Sequence, residues 1–157
     1  MLVAGSVSGA GTGPSEQAAL AVVNANEQAI RLDQFDRGRE LVSDDCTDHA
    51  VDRNQDGKIL DKTRSCKQGI EEGREAVRAM NASGAMHKYE STVTSMVVVG
   101  DKATAHLHVA YIVKNADHSM KVGAEDVETL QLRNGKWYIT SVDEKSTSLT
   151  VDGRRIY

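Results

Sequence analysis

The chain has 157 residues and a mass of 17.0 kDa, which is enough for one domain with a single hydrophobic core. Hydrophobic residues make up 39% of the sequence, as is typical of soluble globular proteins, and aromatic residues only 4%, so the core must be mostly aliphatic. The formal net charge of −4 gives no electrostatic reason to expect nucleic acid or an anionic membrane as partner, and no apolar run approaches the ~20 residues that span a bilayer.

Residues 1–14 are small, glycine-rich and uncharged. They have two interpretations, the end of a secretory signal or a flexible leader. A secretory signal opens with a basic segment and contains a longer apolar stretch, and neither is present. We therefore predict a flexible leader over residues 1–14 and one domain over residues 15–157.

The first predicted helix begins at Pro14-Ser15, with Ser15 as its cap, and runs to about Leu32. Its apolar residues recur at the i, i+3, i+4, i+7 spacing of an amphipathic helix. Asn26 lies on this apolar stripe. An amide there either bonds to a neighbouring helix or points into a cavity, so we include Asn26 among the candidate ligand-binding residues.

Two further helices are predicted before the sheet begins. Asp33 has the position of a cap for a short second helix. A third helix is predicted near residues 73–81, with Gly84 as its terminator. Each helix has an apolar stripe on one side only, so each should cover another element with that side.

The polar segment 43–68 lies between the second and third helices and contains both cysteines. If Asn54 pairs with Lys58 across a tight turn, counting outward places Cys46 opposite Cys66. A disulfide there could contribute ~3 kcal/mol in the chain-entropy model and would support a hairpin with few apolar residues. The alternative is two free thiols in a cytosolic protein. We favour the disulfide, and with it an exported or periplasmic location over a cytoplasmic one.

Two patterns in the sequence are reminiscent of metal sites. Residues 52–57 (DRNQDG) match the opening of a calcium-binding loop, but the twelfth position is Thr63 where a glutamate is needed. His106 and His108 are two apart on a predicted strand, yet no third ligand follows them. We predict neither a metal nor any other cofactor.

From residue 87 onward the helical period is lost and polarity alternates along the chain. Asn134-Gly135 is a dipeptide favoured in tight hairpin turns because both positions tolerate positive φ. The predicted strands cover residues 88–99, 103–114, 120–133 and 136–145, with a short final segment over residues 151–157. Because short turns join the four longer strands, they must be antiparallel.

The order of these elements and three short motifs resemble the nuclear transport factor 2-like superfamily, which includes SnoaL-like polyketide cyclases and ketosteroid isomerases. The motifs are residues 41–45 (LVSDD), 73–77 (GREAV) and 134–139 (NGKWYI), and the resemblance covers about residues 15–146. A long insert with two cysteines departs from the usual pattern. The resemblance implies an α+β cone, in which three N-terminal helices pack on a strongly bent antiparallel sheet of four to six strands.

The resemblance also implies an apolar cavity inside the cone, where catalytic members place acid or base side chains. The aspartate and tyrosine set of the ketosteroid isomerases does not align with this chain residue by residue. The Asp–Arg–Asp arrangement of the limonene epoxide hydrolases is not found either. These two activities are therefore not carried over.

Candidate catalytic residues lie on the second, third and fourth predicted strands. Asp126 and Glu128 share one face with Leu130, which identifies that face as the inner one. Two partly desolvated carboxylates ~7 Å apart repel each other, so one should hold its proton near neutral pH and serve as an acid beside a base. Asp143 and Tyr111 could complete the set, Tyr111 as a donor to an oxyanion. The alternative is that Asp126 and Glu128 are solvated at the mouth of the cone.

The sequence therefore predicts a cofactor-independent enzyme for a small apolar molecule, of isomerase, cyclase, dehydratase or epoxide hydrolase type. A non-catalytic ligand-binding module and a dimerising scaffold with a filled cone are the alternatives. Trp137, Leu130 and Val109 are predicted to wall the pocket together with Asn26. We also predict a homodimer, formed through the outer face of the sheet near Thr104, His106 and His108.

Overall fold

The structure, a computed structural model, describes residues 13–157. The predicted leader lies outside them except for its last two residues. Three helices and seven strands follow one another along the chain: α1 (Pro14–Arg31), α2 (Phe35–Leu41), β1 (Val42–Arg53), β2 (Ile59–Ser65), α3 (Cys66–Ala82), β3 (Met86–Val99), β4 (Lys102–Lys114), β5 (Ser119–Arg133), β6 (Lys136–Val151) and β7 (Arg154–Arg155).

The strands form one curved sheet against which the three helices pack, so the α+β cone architecture is confirmed. The order across the sheet is β2-β1-β6-β5-β4-β3, and the two-residue strand β7 pairs with β6. The hairpin between β5 and β6 turns at Asn134-Gly135, where both residues have positive φ as predicted. Every neighbouring pair is antiparallel except β1 and β6, which run parallel.

The prediction of an antiparallel sheet of four to six strands is therefore incomplete. The sequence indicates β1 only as one arm of a polar hairpin, and its parallel pairing with β6 is missed because VSDDCTDHAVDR is too polar to show an apolar alternation. Val42, Ser43 and Cys46 are nevertheless buried, and the backbone of β1 is paired by β2 on one side and β6 on the other. Tertiary pairing thus overrides weak local propensity in this segment.

The helix caps differ from those predicted. The cap of α1 is Gly13 with Pro14 in the first turn, so Ser15 lies inside the helix and caps nothing. The cap of α2 is Gln34, and Asp33 adopts a positive φ of 56° instead. The carboxylate of Asp33 accepts a hydrogen bond from Nε2 of His87 at 2.8 Å, which fixes it to β3.

Helix α3 begins at Cys66, two turns before the predicted start near residue 73. Its true cap is Ser65, whose hydroxyl accepts a hydrogen bond from the backbone N–H of Gln68 at 3.1 Å. The early turns contain Gly69, a residue that disfavours helix prediction. A Cβ at Gly69 would lie 2.7 Å from Oδ2 of Asp48, so glycine at this position leaves room for the Asp48 side chain against α3.

Cys46 and Cys66 form a disulfide with their Cα atoms 5.3 Å apart, as the counting argument predicts. The backbone of Asn54 bonds to that of Lys58, and Thr47 lies opposite Ser65, which places the two cysteines next in register. The disulfide therefore ties the end of the β1–β2 hairpin to the first residue of α3.

The hydrophobic core lies between the helices and the inner face of the sheet. Its fully buried side chains include Val23 of α1 and residues from four strands: Met96, Leu107, Leu130 and Ile139. Over residues 13–157, none of the helices combines the length and the apolar character that crossing a membrane requires.

Candidate active site

A cavity of about 690 Å³ lies between helices α1 and α3 and the inner face of the sheet. Its size is within the range of small-molecule sites, and most of its wall is apolar. Apolar side chains from both layers line it, including Ile30, Phe35, Ile70, Val77, Val109 and Leu149. The cone is therefore not filled by its own side chains, which argues against the scaffold alternative.

Strand β5 brings Asp126 and Glu128 to the wall of this cavity. Their side chains alternate inward with Leu130, and only 6% of Asp126 and 1% of Glu128 is exposed. The solvated alternative therefore does not apply to these two carboxyl groups.

Glu128 belongs to a network of four polar side chains at the bottom of the cavity. Its Oε1 accepts a hydrogen bond from Nδ2 of Asn26 at 3.1 Å, and the hydroxyl of Tyr89 donates to Oε2 of Glu27 at 2.7 Å. Oε1 of Glu27 and Oε2 of Glu128 are buried without a hydrogen-bond partner among the described residues. The charge of Glu27 acts on Glu128 and opposes its ionisation. Glu128 therefore favours its protonated form.

Glu128 holds its proton firmly. Burial first, and then the charge of Glu27, raise the pKa of Glu128 well above its usual range. Burial and the carboxylate of Glu27 likewise raise the pKa of the Tyr89 hydroxyl, so that it stays a donor. Tyr89 was missed by sequence reasoning, because one tyrosine on an alternating strand has no distinguishing pattern.

Asp126 is free of the network. Its Oδ1 is buried without a hydrogen-bond partner among the described residues. Burial first, and then the charges of Glu144 and Glu27, raise the pKa of Asp126 to about 8. A carboxyl group with this pKa can accept or release a proton near neutral pH, which is the requirement for general acid–base chemistry.

The prediction that Asp143 faces the cavity is wrong, because β6 contains a β-bulge. Ile139 pairs with Leu130 but Ser141 pairs with Thr129, so Thr140 is an extra residue that reverses the alternation. The carboxylate of Asp143 is 57% exposed and lies 3.2 Å from Nδ1 of His49.

Glu144 takes the place predicted for Asp143. It lies directly across from Asp126 on the inner face of the sheet and lines the cavity. Burial and the carboxylates of Asp52 and Asp48 raise the pKa of Glu144 to about 7, with Arg64 acting in the opposite direction. A bulge cannot be seen in an alternation pattern, so sequence reasoning had no signal for this exchange.

The other predicted site residues fall into two groups. Asn26, Val109 and Tyr111 line the cavity, although the Tyr111 hydroxyl contacts Sδ of Met80 at 3.8 Å rather than a carboxyl group. Trp137 and Leu130 are buried in the core and do not line the cavity, so their predicted role as pocket walls is wrong.

Strand β1 adds acidic residues that sequence reasoning assigned only to a polar hairpin. Asp48 and Asp52 line the cavity. Oδ2 of Asp48 accepts a hydrogen bond from Nε of Arg64 at 2.9 Å, and Oδ1 of Asp52 accepts one from the hydroxyl of Ser146 at 2.5 Å. Their i, i+4 spacing on a strand is the signal that could have placed both on one face.

The two metal-like patterns serve other purposes. Oδ1 of Asn54 accepts hydrogen bonds from the backbone N–H groups of Asp56 and Lys58, so the loop is a side-chain-stabilised turn. His106 and His108 are exposed. Within the part of the chain that the structure describes, no three His, Cys, Asp or Glu side chains converge to hold a metal ion.

The protein is therefore an α+β cone in which buried carboxyl groups face an apolar cavity. No protein-family model matches the chain, and no curated protein matches it. Its structure, however, is similar to many solved structures. The chain has the fold of the nuclear transport factor 2-like superfamily, as its motifs predict.

Three of these similar structures illustrate the range of functions on this fold. A nuclear transport factor 2-like protein of unknown function from Shewanella baltica is 14% identical, with a TM-score of 0.60 over 87% of this chain and 98% of that one. A hexachlorocyclohexane dehydrochlorinase is 15% identical, with a TM-score of 0.64 over 87% and 88%. A ketosteroid isomerase-like protein from Erwinia carotovora atroseptica is 11% identical, with a TM-score of 0.63 over 87% and 99%. At these identities the likeness establishes the fold alone.

Proposed function

We propose that the protein is a cofactor-independent enzyme that transfers a proton to or from a small, largely apolar substrate. Such a proton transfer serves isomerisation, cyclisation, dehydration or elimination, and epoxide opening. The neighbours on this fold include a dehydrochlorinase and a ketosteroid isomerase-like protein, which supports this range. In this proposal Asp126 is the catalytic acid or base.

The observation that carries the proposal is the state of Asp126. Its carboxyl group is buried at an apolar cavity, has one oxygen without a partner and has a pKa of about 8. When ionised it can take a proton from a substrate C–H or O–H group, and when protonated it can return that proton to another atom. Glu128, whose pKa is raised by burial and by the charge of Glu27, gives the site a second acid two residues away along the same strand.

Hydrogen–deuterium exchange tests the proposal without knowledge of the natural substrate. Small apolar ketones such as cyclohexanone, and matching epoxides, are incubated with the protein in D₂O and followed by proton NMR. We expect catalysed exchange or ring opening whose rate follows the ionisation of Asp126. Asp126→Asn should reduce the rate at least about 100-fold, the usual contribution of a general acid or base. Glu125→Gln, on the outer face of β5, is the matched control.

Carbon-detected NMR titration of the carboxyl groups supplies an independent measurement. A titration of Asp126 near pH 8 supports the proposal. An ordinary aspartate titration, together with equal rates for the wild type and Asp126→Asn, would remove Asp126 from the chemistry.

A non-catalytic ligand-binding module is the second candidate. It is favoured by the hydrogen bond that Nδ2 of Asn26 donates to Oε1 of Glu128, because a fixed polar contact at the cavity wall suits a site that only holds its ligand. Ligand binding without exchange, and with an ordinary titration of Asp126, would support this candidate over the enzyme.

We also propose that the protein works in an oxidising compartment outside the cytoplasm. The Cys46–Cys66 disulfide supports this location, because such bonds persist mainly in secreted and periplasmic proteins. Thiol titration of protein isolated from its natural source under non-reducing, unfolding conditions should detect no free thiol. Two free thiols would contradict the proposal.

A further inference from the structure

Four carboxyl groups are concentrated on one part of the cavity wall, where strands β1, β6 and β5 lie side by side. We call this group the carboxylate band, and its members are Asp48, Asp52, Glu144 and Asp126. Glu144 is at its centre, because it lies directly beside Ala50 of β1 and directly across from Asp126 of β5. Neighbouring strands are ~4.8 Å apart, so the band is only about 10 Å wide.

The positive charges near the band do not neutralise it. Arg64 is engaged by Asp48 and by Glu72 outside the band. Nε of Arg53 donates to the backbone oxygen of Gly57, and its guanidinium lies over the ring of Tyr157. The cavity therefore contains more carboxyl groups than cations available to pair with them.

Two members of the band have no partner at all within residues 13–157. Neither the Asp126 nor the Glu144 side chain makes a hydrogen bond or an ion pair there, and Oδ1 of Asp126 is fully buried. Buried polar groups left without partners are costly, so native proteins retain them mainly where a ligand or a reaction uses them. Both groups point into the cavity, which places the missing partner inside it.

We propose that this cavity binds a molecule with a protonated amine on an apolar body, the ammonium group seated between Asp126, Glu144 and Asp52. An ammonium group supplies three N–H donors and one positive charge, which matches the unpaired carboxyl oxygens. The apolar body would pack against the opposite wall, where Ile70 and Val77 of α3 lie. This inference deepens the proposed function and rests on it, because it names the class of substrate that Asp126 would act on.

Other charge types fit the cavity less well. An anionic ligand would bring further negative charge to the carboxylate band and be repelled. A bare metal ion lacks a set of three converging ligands among the described residues, and it would leave the apolar wall uncovered. An organic cation would pair its charge with the carboxylate band and cover the apolar wall with its apolar body.

Three probes of matched size test the inference: 2-phenylethylamine, 2-phenylethanol and 3-phenylpropanoate. Binding of each is measured at about pH 8 by chemical-shift titration of amide signals. We expect the amine to bind at least about tenfold more tightly than the alcohol, and the carboxylate not to bind, because each charge-assisted hydrogen bond discriminates by about this factor. Equal affinities for amine and alcohol, or tighter binding of the carboxylate, would overturn the inference.

Substitutions in the carboxylate band test where the ammonium group of the ligand binds. Glu144→Gln and Asp52→Asn should each weaken amine binding about tenfold and leave alcohol binding unchanged. Glu125→Gln removes the same charge from the outer face and should change neither. Retention of full amine affinity in both band variants would overturn the inference, as would displacement of the amine by stoichiometric Ca²⁺ or Zn²⁺.

The outcomes separate this inference from the proposed reaction. Amine selectivity without Asp126-dependent exchange supports the binding inference and contradicts the reaction. Asp126-dependent exchange without amine selectivity supports the reaction and overturns the inference.

Discussion

Replacing Asp126 with asparagine should make the protein more stable at alkaline pH. The folded state holds the carboxyl group of Asp126 in a buried site where its pKa is raised from 3.8 to about 8. Folding therefore favours the protonated form, and the folded state loses stability as pH rises from the ordinary pKa towards 8. Above pH 8 this loss is complete, because the group is then ionised in both states.

The size of the effect follows from the shift. Each pH unit between the two pKa values costs about 1.4 kcal/mol of the free energy of unfolding, so the interval from pH 5 to pH 8 amounts to about 4 kcal/mol. Glu144 lies opposite Asp126, and the two carboxyl groups compete for protons. When Asp126 is replaced, part of the pH-dependent loss of stability is therefore transferred to Glu144. We therefore expect Asp126→Asn to gain about 2 to 4 kcal/mol relative to wild type between pH 5 and pH 9.

Urea unfolding at pH 5 and pH 9, followed by circular dichroism with the disulfide intact, measures this difference. Glu125→Gln serves as the control, since it removes a carboxylate from the same strand but from the exposed face. The control should show the pH dependence of the wild type. If Asp126→Asn also lost stability in parallel with the wild type, the buried carboxyl group would not titrate as argued.

Three further predictions concern the disulfide, a buried hydrogen bond and the dimer interface. The double variant Cys46→Ser, Cys66→Ser should lose about 3 kcal/mol in urea unfolding, because the disulfide closes a loop with a sequence separation of 20; unchanged stability would contradict this. Asn26→Ala should cost about 1–3 kcal/mol in the same assay, because it leaves Glu128 without its amide donor; a neutral effect would mean that this bond adds nothing. Sedimentation equilibrium at micromolar concentration should find a homodimer, and His106→Asp on the outer face should weaken it; a wild-type monomer would exclude this interface.

The strands from β3 onward could be predicted because their sequences carry the signals that govern their structure. Alternating polarity, Gly100 and the Asn134-Gly135 turn indicate the meander, and β3, β4 and β5 begin and end close to their predicted bounds. Strand β6 begins where predicted but continues to Val151, beyond its predicted end at residue 145. Strand β1 could not be predicted in the same way. Its stability comes from β6 and from the disulfide, and both are distant in sequence.

The candidate site could be predicted wherever side chains alternate regularly between the inner and the outer face of a strand. Asp126 and Glu128 lie on a strand whose inward alternation is unbroken, so their placement follows from spacing alone. Asp143 lies beyond the Thr140 bulge, where the same argument selects the wrong face and Glu144 faces inward. The hydrogen bond from Asn26 to Glu128 joins a helix to a strand, and no local pattern encodes such a contact.

The parallel pairing of β1 with β6 has a consequence for synthesis of the chain. His49 and Asp143 are neighbours across this pair and are 94 residues apart in the sequence. The second edge of β1 can therefore be paired only after nearly the whole chain has been synthesised. Closing so long a loop is entropically costly and slows folding. A nascent or truncated chain that ends before residue 136 presents β1 as an open strand edge, which other chains can pair with. Such fragments should aggregate during translation, whereas fragments that include β6 should not.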